Sequence, residues 1–240
     1  MTAPLFFVEA VAVGRVVVSG DEGRHASDVR RIRTGEHVLL GDGRGAVGEG
    51  VVAAVTRGSI EVEVTVVRAE TAPQPRFVVA QALAKGGRDE DAVEAMTEVG
   101  VDEVIGWQAA RSVAKWTDRT QARWAATARA AAKQARRAWV PAVTGPLATT
   151  ALAERAAGVA LAVVLHEDAS LPLTSCSVPD QGEVLLVVGP EGGIGADELD
   201  ALVAGGAVAC RLGPHVLRTS TAGVAALSVL SVLGAQARWR

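Results

Sequence analysis

Three short segments have residue types that suit the binding of a small polar ligand, and each follows a run of apolar residues. They are Leu165-His166-Glu167, Gly189-Pro190-Glu191-Gly192-Gly193 and Leu212-Gly213-Pro214. Glycines let a ligand approach the backbone closely, and free N–H groups at such turns can donate hydrogen bonds to it. The three segments match neither the dinucleotide-binding G-x-G-x-x-G pattern nor the G-x-x-x-x-G-K-[ST] phosphate loop. They indicate a ligand site of another kind, or tight turns that bind nothing.

The elements around these segments predict where they meet. After residue 75, apolar runs typical of strands alternate with helical patterns, which implies a parallel α/β sheet. Strands are predicted at 77–83, 103–108, 159–167, 183–193 and 207–213, and helices at 88–100, 117–138, 196–206 and 219–234. Either Thr117 or Asp118 is expected to cap the long second helix. Because ligands bind beyond the carboxyl ends of strands in such sheets, the three segments should share one edge.

The first 70 residues have a different pattern. Five short β-rich runs are separated by glycines, which predicts a small β-barrel. The run 59–67 alternates at period two, as a half-buried strand does, and 21–33 could form a short helix. Two prolines within 71–75 indicate a linker. The predicted domains are therefore residues 1–72 and residues 73–240.

The charge is unevenly distributed along the chain. The formal net charge is only −3, from 24 basic and 27 acidic residues. Residues 111–140 nevertheless hold eight basic residues against one acid, Asp118, and a smaller basic cluster lies at 24–33. A basic stripe on a near-neutral protein indicates a localised phosphate contact, and a solvated helix face is the alternative.

Several classes of protein are disfavoured by composition. The two cysteines, Cys176 and Cys210, provide neither a disulfide framework nor a metal quartet, and four dispersed histidines predict no metal site. No apolar run reaches the ~20 residues needed to span a bilayer. The N-terminus lacks the basic region of a signal peptide. These features favour a soluble, cytoplasmic protein.

Longer motifs carry a family resemblance. The segments VVGPEGGIGADEL (187–199) and RLGPHVLRTSTA (211–222) resemble the RsmE family of the SPOUT superfamily of S-adenosylmethionine-dependent RNA methyltransferases. Supporting matches are ALAKGGRDEDAVEAMTEVGVD (82–102), ARSVAKW (110–116), KQARRAWVP (133–141) and HASDVRRIRTGEHV (25–38). The resemblance covers nearly the whole chain, in order. That family methylates N3 of a uridine in 16S rRNA of the small ribosomal subunit.

The resemblance implies a fold, a cofactor and partners. It implies an α/β protein with an N-terminal PUA-like RNA-binding β-barrel and a C-terminal SPOUT methyltransferase domain that contains a trefoil knot. It also implies a homodimer that uses S-adenosylmethionine. The residues it places at the cofactor are Leu165, Gly189, Pro190, Glu191, Gly192, Gly193, Leu212, Gly213, Leu217, Thr219, Ser220 and Thr221. Those expected to contact RNA are Arg24, His25, Arg30, Arg31, Arg33, Lys85, Arg88, Arg111, Arg136 and Arg137.

Arg218 is the residue predicted to assist the chemistry. Methylation at uracil N3 requires loss of a weakly acidic proton, and a guanidinium can stabilise the charge that develops on the flanking carbonyls. A structural ion pair is the alternative role for Arg218. His166 could act as a base, or could simply be hydrogen-bonded. The chain has Ser220 where the family often has Glu, and His215 where Arg is more frequent.

Two other functions remain open from the sequence. One is a non-catalytic RNA-binding factor in ribosome assembly, for which the departure at Ser220 leaves room. The other is a SPOUT methyltransferase with a different RNA target, such as tRNA.

Overall fold

The structure is a computed structural model that describes residues 3–234. The described chain separates into two compact units. The first contains the described residues through Ala72 together with Ala132–Val140, and the second contains Pro73–Ala131 and the described residues from Pro141 onward. The segment 132–140 is an addition to the first unit that the sequence pattern does not reveal.

The first unit is built on a five-stranded mixed sheet in the order β1-β3-β4-β5-β2. Its strands are β1 (Leu5–Phe7), β2 (Gly14–Val18), β3 (His37–Gly41), β4 (Ala46–Thr56) and β5 (Ser59–Ala69). β1 pairs with β3 in parallel, and the other pairs are antiparallel. Ile60, Val62 and Val64 of β5 are buried among apolar neighbours, as the period-two pattern predicts. Beyond Val64 the strand is exposed, so the alternation marks burial only in its first half.

The helical segment of this unit changes geometry within a few residues. Helix α1 (Gly20–Arg24) continues into a π-helical turn (His25–Val29), in which the Arg30 N–H donates to the His25 carbonyl at 2.9 Å. The predicted short helix is therefore confirmed, with a wider last turn. Such turns are rare and often occur at functional sites.

The second unit contains a seven-stranded sheet in the order β10-β12-β9-β11-β6-β7-β8. Its strands are β6 (Arg76–Ala82), β7 (Glu103–Trp107), β8 (Ala142–Leu147), β9 (Leu161–Leu165), β10 (Leu171–Pro172), β11 (Glu183–Val188) and β12 (Val208–Arg211). All six neighbouring pairs are parallel, which confirms the predicted parallel α/β sheet. Strands β8 and β10, at the two edges, are not among those predicted from the sequence.

Five helices accompany this sheet. They are α2 (Arg88–Glu98), α3 (Asp118–Gln134, whose residues from Ala132 onward belong to the first unit), α4 (Thr149–Ala157), α5 (Ala196–Ala204) and α6 (Thr219–Leu233). Apolar residues of α2 and α6 join one buried cluster, and those of α4 and α5 join another. The Thr120 N–H donates to the Thr117 hydroxyl at 3.2 Å, so Thr117 is the cap of α3.

Membrane-spanning helices and metal-binding clusters are both absent from the described residues. No helix within residues 3–234 combines the length and apolar character needed to cross a membrane. Within the same residues, no three His, Cys, Asp or Glu side chains group in a way that could hold a metal ion.

Candidate active site

A cavity of about 620 Å³ lies at the carboxyl edge of the parallel sheet, within the second unit. Its walls come from the loops that follow β9, β11 and β12, and from the start of α6. The predicted site residues that line it are Leu165, Gly189, Pro190, Glu191, Gly193, Leu212, Gly213, Leu217, Arg218 and Thr219. Gly192, Ser220 and Thr221 do not line it. The three segments singled out in the sequence therefore meet at one edge, as the strand pattern predicts.

The loop between β11 and α5, Gly189–Gly195, is here called the glycine loop. A Cβ atom on Gly189 would lie 2.7 Å from Cγ1 of Ile194, so only glycine fits there without displacing that side chain. Gly193 has a positive φ of 73°, and its N–H donates to the Pro190 carbonyl at 2.9 Å, which closes a tight turn. The fold of the loop thus explains why glycines occur at these two positions.

The start of α6 is joined to the glycine loop. The Thr219 hydroxyl donates to the Gly189 carbonyl at 3.1 Å, and Thr219 is buried. The Arg218 carbonyl accepts hydrogen bonds from the N–H groups of Thr221 and Ala222, which form the first turn of the helix. Thr221 therefore supports the turn that presents Arg218 and does not itself line the cavity.

Arg218 is exposed and lines the cavity. Its guanidinium has no hydrogen-bond or ion-pair partner among residues 3–234. The structural ion pair considered from the sequence is therefore absent from the described part of the chain. The side chain is free to bind a ligand.

Glu191 connects the glycine loop to the loop before α2. The Lys85 N–H donates to Oε1 of Glu191 at 3.3 Å, and an Arg88 nitrogen lies 3.8 Å from the same oxygen. Arg88 also lines the cavity, and Lys85 is exposed. Two residues predicted to contact RNA thus lie next to the cavity, and Glu191 orders their loop in addition to lining the site.

Gly192 contacts the side chain of Arg111 and does not line the cavity. The Arg111 Nη1 donates to the Gly192 carbonyl at 3.0 Å, and a Cβ atom on Gly192 would lie 3.2 Å from the Arg111 Cβ. The glycine allows this close approach. The predicted RNA-contacting residue Arg111 therefore touches the predicted donor-binding loop directly.

His166 lines the cavity, and its Nδ1 accepts a 3.2 Å hydrogen bond from the Asp168 N–H. This bond occupies the Nδ1 lone pair, so the neutral imidazole carries its proton on Nε2. Neither nitrogen of neutral His166 then has a free lone pair. The geometry disfavours His166 as a general base.

The first unit presents most of the remaining predicted RNA contacts at its surface. The exposed ones are Arg24, Arg30, Arg31, Arg33 and Arg136, while His25 and Arg137 are partly buried. Arg31 and Arg136, with φ of 54° and 55°, are the two non-glycine residues of positive φ within residues 3–234. Strained backbone is often retained at binding sites, so both positions are of functional interest.

Arg24 and Lys133, two of the cations of the first unit, form ion pairs within it. Arg24 is paired with Asp21, and Lys133 lies 3.2 Å from Glu22. Burial and the charge of Lys133 lower the pKa of His25, although Glu22 opposes the change. The uncharged form of the His25 imidazole is therefore favoured in this structure.

One arginine of the basic stripe at 111–140 is paired with an acid of the second unit. Arg123 lies 3.2 Å from Glu90, so it is an ion-pair partner within the protein.

Trp107 and Trp124 are fully buried, and Trp116 packs edge-on against Trp124 with ring centroids 5.1 Å apart. Trp107 and Trp124 thus belong to the core, and Trp116 packs against it.

Sequence reasoning missed one side chain that organises the site. Glu198, on the first turn of α5, accepts hydrogen bonds from Ala110, Thr149 and Gly195. A glutamate three residues after the N-cap residue is a recognisable capping signal, but the contacts of Glu198 to Ala110 and Thr149 join segments far apart in sequence. Asp168 also lines the cavity, directly after the segment Leu165-His166-Glu167 that the sequence singles out.

Comparisons with known proteins agree with this geometry. A family model described as an RNA methyltransferase domain matches residues 70–231, and one described as an RNA methyltransferase PUA domain matches residues 18–65. The ribosomal RNA small subunit methyltransferase E of Mycobacterium tuberculosis is 47% identical over 100% of this chain and 94% of its own. The protein of the same name from Bacillus subtilis is 30% identical over 89% of this chain and 88% of its own.

Solved structures have the same fold. The methyltransferase Lpg2936 of Legionella pneumophila, in complex with the bound cofactor SAM, is 27% identical with a TM-score of 0.86, over 97% of this chain and 98% of that one. The ribosomal RNA small subunit methyltransferase E of Neisseria gonorrhoeae, bound to S-adenosyl methionine, has a TM-score of 0.86 at 23% identity, over 97% of this chain and 98% of that one.

The parallel α/β unit with its cavity at the carboxyl edge is thus the catalytic domain of an RNA methyltransferase, and it accompanies a PUA domain. The chain belongs to the ribosomal RNA small subunit methyltransferase E (RsmE) family.

The cavity residues fit S-adenosylmethionine. A volume of about 620 Å³ lies in the range of small-molecule sites. Apolar side chains of the lining suit the adenine, its carboxylates suit the cationic groups, and its arginines suit the carboxylate of this molecule. The apolar residues are Leu165, Val188, Leu212, Val216 and Leu217, the acids are Glu167, Asp168 and Glu191, and the arginines are Arg88, Arg211 and Arg218. The glycine loop adds Gly189 and Gly193, which have no side chains, to this lining.

Proposed function

We propose that this chain transfers the methyl group of S-adenosylmethionine to N3 of a uridine in 16S rRNA. The observation that carries the proposal is the convergence of the glycine loop, the 212–217 loop and Arg218 on one cavity. The relatives named ribosomal RNA small subunit methyltransferase E support the choice of small-subunit rRNA.

The methyl donor would be held in the cavity, where it supplies an electrophilic methyl group on a cationic sulfur. Gly189 and Gly193 shape the glycine loop to approach it, and Thr219 keeps that loop against α6. Leu165, Leu212 and Leu217 provide apolar walls. Pro190, Glu191 and Gly213 also line the cavity, whereas Gly192, Ser220 and Thr221 are proposed from the family resemblance and do not line it.

Arg218 is proposed as the catalytic residue. The methyl transfer forms the N3–C bond, breaks the S–C bond to leave S-adenosylhomocysteine, and passes the N3 proton to solvent. As that proton is lost, negative charge spreads onto the two carbonyl oxygens beside N3. The Arg218 guanidinium, which has no partner within residues 3–234, can donate hydrogen bonds to one of those oxygens and lower the cost of deprotonation. The rest of the rate enhancement would come from holding N3 in line with the methyl group.

RNA would be bound by cations of both units. Residues 1–72 are proposed as the RNA-binding PUA-like domain, with Arg24, His25, Arg30, Arg31 and Arg33, and residues 73–240 as the methyltransferase domain. The family matches at 18–65 and 70–231 support this division. Lys85, Arg88 and Arg111 are proposed to hold the RNA near the cavity, and Arg136 and Arg137 to bind phosphates from the segment 132–140.

The finer features of the fold are also part of the proposal. We infer a trefoil knot in which the 212–218 segment and the glycine loop share the donor cavity. A homodimer is supported by exposed apolar side chains on the last turn of α6, Val232 and Leu233. The proposed location is the cytoplasm, where ribosomal subunits are assembled.

The test is a methyl-transfer assay with labelled S-adenosylmethionine. Purified 30S subunits, 16S rRNA and tRNA are offered in parallel, and the modified base is identified by mass spectrometry. N3-methyluridine in 16S rRNA is the expected product. Methylation of tRNA alone would overturn the target, and donor binding without transfer to any substrate would favour the non-catalytic factor.

A further inference from the structure

Glu198 is a buried carboxylate that joins three separate segments of the second unit. It lies on the first turn of α5 and is 9% exposed. Its Oε1 accepts hydrogen bonds of 2.9 Å from the Ala110 N–H and from the Thr149 hydroxyl. Its Oε2 accepts a hydrogen bond of 3.2 Å from the Gly195 N–H, at the end of the glycine loop. Bonds to an ionised carboxylate are stronger than those between neutral groups, so these contacts hold the segments firmly.

A second tether joins two of the same segments. Residues 109–112, here called the Arg111 segment, form a turn in which the Ser112 N–H donates to the Ala109 carbonyl at 3.0 Å. Arg111 donates from Nη1 to the Gly192 carbonyl at 3.0 Å. The Arg111 segment and the glycine loop are thus linked twice, through Glu198 at Ala110 and through Arg111 itself.

The two linked segments have different proposed roles. The glycine loop lines the cavity through Gly189, Pro190, Glu191 and Gly193. Arg111 is exposed and does not line the cavity, so a nucleic-acid phosphate can reach it. A ligand that orders the glycine loop therefore also orders Arg111, because Gly192 and Gly195 are fixed to the Arg111 segment.

We propose that Glu198 is a positioning residue that couples methyl-donor binding to RNA binding by joining the glycine loop to the Arg111 segment. This inference rests on the proposed function. Because coupling between two sites is reciprocal, RNA should bind more tightly when the donor cavity is occupied, and the donor more tightly when RNA is bound.

The position of Glu198 is difficult to explain as helix stabilisation alone. Leu202 already anchors α5 in the core, and a buried carboxylate is costly unless its partners are well arranged. A capping role requires only the Gly195 N–H. The Ala110 and Thr149 contacts extend the carboxylate to other loops, and Thr149 is in turn fixed by the Trp107 indole at 3.2 Å.

The experiment measures the affinity of the full chain for a fluorescent 16S rRNA transcript, with and without saturating S-adenosylhomocysteine. In the wild-type protein, the analogue should tighten RNA binding at least about fivefold. In Glu198→Ala only the Arg111 tether remains, so this ratio should fall towards one. Glu198→Gln keeps one acceptor oxygen, so its ratio should be intermediate.

Matched variants separate coupling from folding and from simple loss of charge. Asp197→Asn removes an exposed carboxylate from the same turn and should keep the wild-type ratio. Arg111→Met removes the second tether from an exposed position, so it tests the inference even if Glu198→Ala does not fold. Arg119→Met removes the same charge from the basic stripe and should weaken RNA binding without changing the ratio.

The failures of the two proposals are distinguishable. A wild-type chain that binds the analogue and RNA with a ratio of one would overturn the coupling and leave the proposed function standing. If Arg111→Met and a folded Glu198→Ala both keep the wild-type ratio of RNA affinities with and without the analogue, the coupling is also overturned and the proposed function stands. A wild-type chain that does not bind the analogue would overturn the proposed function, and the coupling with it.

Discussion

The side-chain hydroxyl of Thr219 and the backbone carbonyl of Gly189 are joined by a hydrogen bond of 3.1 Å. This bond fixes the first residue of α6 to the residue that follows β11, and both residues line the cavity. The shape of the donor site therefore depends on a contact between parts of the chain 30 residues apart.

Replacement of Thr219 by valine should weaken donor binding. Valine preserves the shape of the side chain but leaves the Gly189 carbonyl without this partner, which costs roughly 1–3 kcal/mol when the group is buried. We expect the dissociation constant for S-adenosylhomocysteine, measured by calorimetry, to rise about tenfold. Ser228→Ala, which removes a hydroxyl bonded within α6, is the control, and Thr219→Ser should restore affinity. An unchanged constant in Thr219→Val would contradict the assignment.

Replacement of Arg218 by alanine should reduce turnover far more than donor affinity. The side chain has no partner within residues 3–234, so its removal leaves no unpaired protein group behind. Loss of a donor that stabilises a developing anion typically lowers kcat by a factor of about 100 to 1,000. Single-turnover rates and calorimetry on the same preparation provide the comparison. Equal losses in rate and affinity would mean that Arg218 serves the cavity and not the chemistry.

RNA affinity should depend steeply on salt. Exposed cations of the first unit, such as Arg30 and Arg33, would displace counterions from RNA phosphates, and each contact adds about 0.7–0.9 to the slope of log affinity against log salt. Titrations between about 0.05 and 0.2 M salt should show this slope, and Arg30→Ala should reduce it by about one. Arg57→Ala, in the exposed β4–β5 turn, is the control. A salt-independent affinity would rule out the phosphate contacts.

Cys210 should resist alkylation in the folded protein. It is fully buried, and burial together with the adjacent Cys176, whose Sγ is 3.4 Å away, raises the pKa of the Cys210 thiol to about 12. At pH 8 almost none of it is the reactive thiolate. In a Cys176→Ala variant, which isolates Cys210, iodoacetamide labelling followed by peptide mass spectrometry should find Cys210 unmodified until urea is added. Rapid labelling of the native variant would disprove the assigned burial.

The sequence predicts the central strands and the site loops well, for a physical reason. Strands such as β11 are buried on both faces and appear as continuous apolar runs, and the glycine loop that follows contains residues that only a tight turn requires. Edge strand β8 was missed because its residues alternate between exposed and half-buried, and it contains Gly145 and Pro146. Helix α4 was missed because it is short and Ala148 offers no side-chain cap.

The contacts of the site are less accessible to sequence reasoning. Arg218 and Gly189 could be placed at the cavity because each lies within a recognisable segment. The role of Glu198 could not be predicted, because Ala110 and Thr149 approach it only once the sheet order is known. The reason for glycine at position 192 could not be predicted either. A side chain there would crowd Arg111, which is distant in sequence, and no ligand is involved.

A cluster of four charged residues at the amino ends of the sheet strands should control acid stability. Glu103 is 6% exposed and accepts hydrogen bonds from Arg155 at 2.8 Å and from Arg76 at 2.6 Å, while Glu183 pairs with the same two arginines. Burial alone would raise the pKa of Glu103, but bonds from Arg155, Thr144 and Arg76 outweigh it and hold that pKa below its ordinary value.

A carboxylate whose pKa is lowered by folding contributes stability above its unfolded pKa, and this contribution disappears as the pH falls through the folded pKa. The wild-type protein should therefore lose stability below about pH 4.3, the ordinary value for glutamate. In Glu103→Gln, urea unfolding at pH 7 should show a loss of about 3 kcal/mol, because the arginines lose a buried partner. The further loss between pH 5 and pH 3 should be smaller in this variant than in the wild type. Glu154→Gln, on the exposed side of α4, is the control and should follow the wild type. If the free energy of unfolding falls with pH equally in Glu103→Gln and in the wild type, Glu103 is not the titrating group.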